Sequence, residues 1–584
     1  MELLSRRRVV LGSGGLGGLL AFAASTALAQ ERFTAASSLP PPRAQVATAR
    51  NGMVVTQELR ATRIGLEVLK NGGNAVDAAV AIGFALAVTL PRAGNLGGGG
   101  FLLAHLAERG ETVAIDYRET APGAITPDVF LDRDGNADPG KSRDSALAVG
   151  VPGTVAGLTL ALARLGSGRF PLAELIAPAV ALARDGIAVD GDLLDSLLLG
   201  EPRLMRWPSS GRVFGKGGGR VLGAGDRLVQ ADLAATLETI GREGARAFYE
   251  GPIADEIVAA VRDAGGLIRR SDIQDYMPVT RPPVHGTYRG YDVLSMPPPS
   301  SGGAVLLEML NILEGFSPRE LAAPNAAAFH LMIEAMKLAY ADRAEYLGDA
   351  DRVDVPLDRL TSKAYAAELR SRIDRSRATA VQAGRPDPAP SGGGNTTQFS
   401  VVDRFGNAVA NTTSLNFNYG LGLVAGSTGI LLNNSLDDFA AKPGAPNAFG
   451  LLGGGANAPA PGKRPLSSMT PTILLKDGKV ALVTGAPGGS RIITAVLQIV
   501  VDTVDFKKSI GEAVSAPRIH HQWRPDEVTA EKTLPAEIVR GLTARGHKVR
   551  IGATSGSANS IAMTASGLVG AADQRARGAS AAGY

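Results

Sequence analysis

Between Arg375 and Asn395 the chain carries Gly384, Pro386, Pro388, Pro390 and Gly392 to Gly394, and directly after it Thr396 to Asp403 alternates apolar and polar residues. Proline has no amide proton to donate and glycine loses the most chain entropy on ordering, so helix and sheet interiors reject this composition. The stretch therefore reads as an exposed tether that divides the chain into a long N-terminal part and a shorter part opening with a strand. Arg404-Phe405-Gly406-Asn407 supplies a turn and Ala408 to Thr413 a second strand, so Thr396 starts a hairpin. A side chain on such an element is held closer to a working geometry than one on a loop.

That placement gives Thr396 a chemical meaning. A threonine hydroxyl is a poor nucleophile at neutral pH, but cleavage before Thr396 would leave it a free α-amine. With a pKa of about 7.7 to 8.0, such an amine takes the hydroxyl proton directly or through a water.

Composition narrows the alternatives. The 584 residues are 45% hydrophobic and 20% charged with a formal net charge of +4, an ordinary globular balance with room for one large core or several. Lys and Arg are dispersed rather than gathered in basic runs with interleaved aromatics, which argues against a nucleic-acid partner. With no cysteine, disulfides, thiolate nucleophiles, cysteine-ligated zinc and iron-sulfur clusters are excluded. The first residues read as an address. Arg6-Arg7-Arg8, a Gly/Ala/Leu run and Ala27-Leu28-Ala29 fit an export signal over residues 1–29 of twin-arginine type. The run is too short and glycine-rich for an anchor, and no later run would span a membrane, so a periplasmic or secreted protein is expected. The G-x-G-x-x-G from Gly12 to Gly17 follows a basic segment instead of a strand and is no nucleotide site.

Along the rest, Arg32 to Arg50 reads as a lead-in of low order. Helical periodicity marks Gln57 to Lys70, Val155 to Arg164, Leu172 to Arg184, Leu233 to Glu243 and Ala326 to Arg343, and Val113 to Tyr117 suggests a strand. Ala75 to Leu90, apolar on every face except at Asp77, is expected to be a buried helix packed on a sheet. After the tether, strand signals dominate. Thr484 to Arg491, between the apolar runs Val480 to Val483 and Ile492 to Val501, reads as strand, tight turn and helix. Amides at such a helix start can hold an oxyanion, although a Gly-Gly turn often does no more than reverse the chain. Gly94 to Gly100 lacks the Gly-Lys-Ser/Thr of a phosphate loop and is read as close backbone packing. His520-His521 has no partner at metal-ligand spacing and is read as structural. There is no Gly-x-Ser-x-Gly elbow. No cofactor and no metal are expected.

Taken together, Thr396 to Asp403, Gly429 to Asn434, Asp437-Asp438-Phe439, Lys463 to Met469 and Gly488-Gly489-Ser490-Arg491 resemble the γ-glutamyltranspeptidase (glutathione hydrolase) family. Gly97 to Phe101, Asp116 to Glu119, Pro152 to Gly157 and Pro298 to Gly303 are similar to it as well, from about Ala49 to Tyr584. The resemblance implies an N-terminal-nucleophile hydrolase, an α/β protein with an αββα four-layer sandwich. It implies self-cleavage between Asn395 and Thr396 into a large subunit, residues 30–395, and a small one, residues 396–584, that stay together as a heterodimer. Thr396 would then attack the γ-glutamyl amide of glutathione, Gly488 and Gly489 would stabilise the oxyanion, and water or an amino acid or peptide would accept the acyl group.

The same resemblance assigns Arg118, Ser467 and Ser468 to the substrate α-carboxylate, Asp438 to the α-ammonium, and Asn416 to the same pocket. Read without the family, Arg118 is equally a surface ion pair, Asp438 a turn residue and Asn416 a loop cap. Three positions depart from the pattern. Ser414 replaces a threonine that supports the nucleophile, keeping the hydroxyl. Ser435 replaces the glutamine or glutamate that contacts the α-ammonium. Phe449 replaces a tyrosine in the lid loop Pro443 to Gly454. Two alternatives remain: a cephalosporin (glutaryl) acylase, favoured by a lost contact at Ser435 but opposed by Asp438, and a catalytically silent binding protein, opposed by the intact Thr396, Gly488 and Gly489.

Overall fold

The computed structural model describes residues 44–380, 396–552 and 556–584. The export-signal segment, most of the tether and Asn395 lie outside the described residues. Two seven-stranded sheets carry the architecture. One runs from edge to edge as Gln45–Ala49, Gly567–Ala572, Asn559–Thr564, Lys479–Thr484, Thr472–Lys476, Tyr291–Ser295 and Val284–Tyr288. The other runs Ser580–Gly583, Met53–Thr56, Thr396–Val402, Ala408–Ser414, Gly99–Leu106, Glu111–Tyr117 and Val279–Arg281. Each sheet contains strands from both sides of the tether, and Arg43 to Tyr584 forms one compact unit.

The period-two alternation of the strands sorts their side chains into layers. Met53, Val55, Phe101, Leu103, Ile473, Val483 and Ile561 form a core between the two sheets. Their neighbours Val54, Leu102, Phe399, Val401 and Val409 face the other way, onto helices Leu59–Lys70, Ala75–Thr89 and Thr154–Leu165. Val293, Leu474 and Leu482 point outward from the first sheet onto helices Gly302–Glu314, Ala326–Tyr346 and Arg491–Val504. The result is the αββα sandwich.

Ala75–Thr89 is buried at every residue, as its all-round apolar surface requires. Its one acid, Asp77, closes a capping box in which the Asn74 amide donates to Asp77 Oδ2 and the amides of Val76 and Asp77 donate to Asn74 Oδ1. The hairpin turn is tied to this helix start: Asp403 accepts from the amides of Phe405 and Asn407 and, through Oδ2, from the amide of Ala75. Gly406 adopts a φ of 85°, which the turn needs and a β-carbon disfavours.

One expectation is corrected. Residues Gln45–Ala49, read as low-order lead-in, form an edge strand paired with Gly567–Ala572, because a partner strand far along the chain satisfies their backbone. After the tether strands dominate as expected, and the expected helix Arg491–Val504 is joined by the shorter helices Ile510–Ser515 and Ala536–Ala544. The remaining helices and strands agree within a few residues. Among the described residues, no helix is long and apolar enough to cross a membrane.

Gly97 to Gly100 are indeed sites of backbone contact. A β-carbon would fall 2.2 Å from the Leu431 carbonyl oxygen at Gly97, 2.3 Å from that of Ser414 at Gly98, and 2.3 Å from that of Thr412 at Gly100. Replacing Gly97 by Ala is expected to cost about 1–3 kcal/mol of stability, because backbone on both sides must shift. Urea unfolding of the Gly97→Ala variant beside the unaltered chain measures this, and equal midpoints would refute it.

Candidate active site

Thr396 begins the hairpin opposite Ser414, and the cross-strand register brings their hydroxyls together, with Thr396 Oγ1 donating to Ser414 Oγ at 3.3 Å. Ser414 Oγ also accepts from the amide of Asn416 at 2.8 Å. The strand ends there, and Asn416, at a φ of 79°, turns its side chain to donate to the Asn434 carbonyl. All three are buried but line a cavity together with Arg118, Asp438, Phe449, Ser467, Ser468, Met469, Gly489 and Ile492.

Part of the cavity wall is ionic. Arg118 leaves the strand Glu111–Tyr117 and is completely buried. It donates to Glu119 Oε2 at 3.1 Å, to Asp438 Oδ2 at 2.5 Å and to the Pro465 carbonyl. Burial works against its charge, but Glu119 and Asp438 outweigh this and raise its pKa. Burial likewise pushes the Glu119 and Asp438 carboxyls upward, with the Arg118 guanidinium pulling both back. A buried ion group of this kind exists only because each charge has a bonded partner.

Ser467 and Ser468 come from a turn pinned to the long N-terminal part. The Ser467 amide donates to the Pro299 carbonyl, and its own carbonyl accepts from both the amide and the hydroxyl of Ser301. Ser468 Oγ accepts from Arg343, which also donates to Ser301 Oγ. Gly488 and Gly489 form the turn into helix Arg491–Val504 with φ of 136° and 58°, and a β-carbon on Gly489 would lie 2.7 Å from the Phe449 ring. Gly489 lines the cavity; Gly488 is its neighbour in the turn.

Thus the structure brings together Thr396, Ser414, Arg118, Asn416, Asp438, Ser467, Ser468 and Gly489. It does not bring Ser435 into the wall. The Ser435 hydroxyl, fully buried, donates instead to Glu119 Oε1 at 2.6 Å. Two ionic residues went unassigned in the sequence: Glu119, although adjacent to Arg118, and Arg343, on a helix whose periodicity carries no sign of the cavity. The lid loop closes on itself through the Gly444 amide and Gly453 carbonyl, and Phe449 stacks on Phe417.

The histidine pair serves the fold. His520 bonds Thr494 and Gln522, and His521 bonds Asp526. A second group, His330, Glu334 and His547, has donor atoms within 4.8 Å of one another. The two rings already share a hydrogen bond, Glu334 pairs with Lys337, and none of the three lines the Thr396 cavity.

The family model described as gamma-glutamyltranspeptidase matches residues 61–583. A glutathione hydrolase proenzyme of Escherichia coli K12 is 51% identical over 539 residues, covering 92% of each chain. One from Pseudomonas sp. strain A14 is 47% identical, covering 83% of this chain and 84% of its own. The solved structure of a cephalosporin acylase from Bacillus halodurans superposes with a TM-score of 0.81 at 28% identity, covering 93% of this chain and 98% of its own.

Beside the site, burial pushes the Asp437 carboxyl up to about 7; Asp438 adds to the rise, while the Ser142 hydroxyl and Arg143 oppose it. The folded chain therefore keeps a proton that the unfolded chain releases near pH 4, so this group's contribution to stability falls as pH rises from about 4 to about 7. Asp437→Asn is expected to raise the thermal midpoint at pH 8, with the gain shrinking toward pH 4.5. Unfolding curves at several pH values test this, and a gain independent of pH would refute it.

Proposed function

The chain belongs to the γ-glutamyltranspeptidase family, and on that premise we propose that its buried cavity binds a γ-glutamyl group and that Thr396 is the nucleophile. The protein is an enzyme, a glutathione hydrolase and γ-glutamyltransferase made as a proenzyme. The observation that carries the assignment of the site is the Thr396–Ser414 hydroxyl pair in the wall of a cavity also lined by the bonded pair Arg118 and Asp438.

Maturation begins with the Thr396 hydroxyl attacking the Asn395 carbonyl. The C–N bond breaks, an ester forms, and water hydrolyses it, leaving a carboxylate on Asn395 and an α-amine on Thr396. The two pieces, residues 30–395 and 396–584, remain a heterodimer because both sheets contain strands of each. The α-amine then takes the hydroxyl proton as Thr396 attacks the γ-carbonyl of glutathione, with Ser414 fixing the hydroxyl by hydrogen bonding. The amides of Gly488 and Gly489 receive the oxyanion, each such donor being worth about 100-fold or more. The leaving amine departs with a proton, and water or an amino acid or peptide resolves the γ-glutamyl ester.

Recognition of the α-amino acid end is a charge exchange. Asp438 accepts a hydrogen bond from Arg118. The substrate carboxylate takes its place on the guanidinium, with Ser467 and Ser468 as further donors, and the released Asp438 receives the α-ammonium near Asn416. A glutaryl group offers a carboxylate without an ammonium and would leave Asp438 buried and unpaired, an uncompensated charge. This physical cost favours γ-glutamyl substrates over the acylase reading suggested by the Bacillus halodurans likeness. Ser435 acts behind the wall, holding Glu119 against Arg118. We further propose that residues 1–29 direct export to the periplasm or the exterior.

Expression of the unaltered chain and Thr396→Ala, with denaturing gels and assays on a γ-glutamyl anilide and a glutaryl amide, tests this. Two fragments and γ-glutamyl turnover are expected from the former, and one uncut, inactive chain from the latter. A variant that still cuts itself would refute the nucleophile assignment, and turnover of the glutaryl compound alone would establish the acylase reading.

A further inference from the structure

The wall of the Thr396 cavity leads outward to a group of arginines that the proposed hydrolysis leaves unused. Phe449, which abuts Gly489, stacks on Phe417 with ring centres 5.4 Å apart and planes 9° from parallel. The guanidinium carbons of Arg143 and Arg203 lie 5.9 and 5.5 Å from the centre of the Phe417 ring. Such contacts orient the cations against an apolar surface while leaving their edges available. Asn434 ties the group to the cavity: it donates to the Arg143 carbonyl, accepts from the Phe417 amide through Oδ1, and accepts from the Asn416 side chain through its own carbonyl.

The charge of this group is unbalanced. Asp144 pairs with both Arg143 and Arg203 at 3.0 Å, and among the described residues no other carboxylate forms an ion pair with either. Arg206 makes no ion pair among the described residues; one of its nitrogens donates to the Asp144 carbonyl. Arg143 and Arg206 both repel the Arg203 charge, which burial already disfavours. Donors are also in excess. A guanidinium has five N–H groups, yet Arg143 commits two nitrogens to Asp144, and Arg203 commits one to Asp144 and one to the Gly420 carbonyl. The Arg143 and Arg203 side chains remain about a quarter exposed, at 23% and 24%.

Three cations around one carboxylate, beside a site that releases an amine, call for a second anion. We propose that Arg143, Arg203 and Arg206 form a subsite for the terminal carboxylate of the peptide amine that leaves Thr396, the cysteinylglycine half of glutathione. This inference rests on the hydrolase reading. In the acyl pocket Arg118 is occupied by other anions, Glu119 and either Asp438 or the α-carboxylate. The planar arginine fork is matched to a carboxylate in a way that an ammonium is not.

The test compares glutathione with its glycine carboxamide, which differs only in that terminal charge, in the unaltered enzyme and in the Arg143→Gln/Arg203→Gln double variant. Within each protein the ratio of the two kcat/KM values cancels any general loss of folding or of active fraction. In the unaltered enzyme glutathione is expected to be preferred by about tenfold or more, the scale of one charge-assisted hydrogen bond. The preference is expected to reside in KM and to weaken as salt is raised. In the double variant the ratio is expected to collapse toward one. Equal rates on both compounds in the unaltered enzyme, or a preference that survives the double substitution, would overturn the subsite. Absence of turnover on either compound by the unaltered enzyme would instead refute the hydrolase reading itself.

Discussion

The backbone ladder between Thr396–Val402 and Ala408–Ser414 is the interaction on which the rest of the molecule depends. It lies inside a seven-stranded sheet, flanked by Met53–Thr56 on one side and Gly99–Leu106 on the other. The strand Met53–Thr56 pairs with Ser400 to Val402 only, so Thr396 is held by its own partner Ser414, whose other edge is matched to Gly99 from the N-terminal part. Ser414 faces Thr396 for no other reason than register, and a slip by one residue would send either hydroxyl to the helix-facing side.

Small residues make this register possible. Gly98 lies against the Ser414 carbonyl and Gly99 against Glu119, so the strand that supports the hairpin also admits the buried ion group. Glu119 in turn links Arg118 to Ser435, and Arg118 links Glu119 to Asp438. Each charge is tolerated in the interior only through the others, which makes the ion group a single electrostatic object shared by two segments of chain, residues 118–119 and 435–438. The proposed arginine subsite is its counterpart beyond Phe449: there the Arg143 and Arg203 charges are about a quarter exposed and outnumber their carboxylate, as befits a surface that meets ligands with a net negative charge.

Much of the framework was legible in the sequence because it rests on local rules. The all-apolar run from Ala75, the hairpin with its Gly406 turn, and the strand, Gly-Gly turn and helix around Gly488 and Gly489 follow from periodicity and from what proline and glycine forbid. The strand Gln45–Ala49 was not legible, since its five residues acquire their conformation from pairing with residues more than five hundred positions away. The same holds for Arg343, whose helix is amphipathic in no direction that points to Ser468, and for the turn of Ser435 away from the cavity, which depends on Glu119 lying behind it.

The sequence by itself determined the residue types that can do chemistry, the point where a tether gives way to a strand beginning with threonine, and a resemblance that ordered the other site residues around it. Only the tertiary structure decided which of them meet. It placed Arg118 against Asp438, withdrew Ser435 behind Glu119, and set the Arg143 and Arg203 charges over Phe417 beside the lid. The reason is physical: local propensity acts over a few residues, whereas hydrogen-bond partners and ion pairs are chosen by the packing of segments hundreds of residues apart.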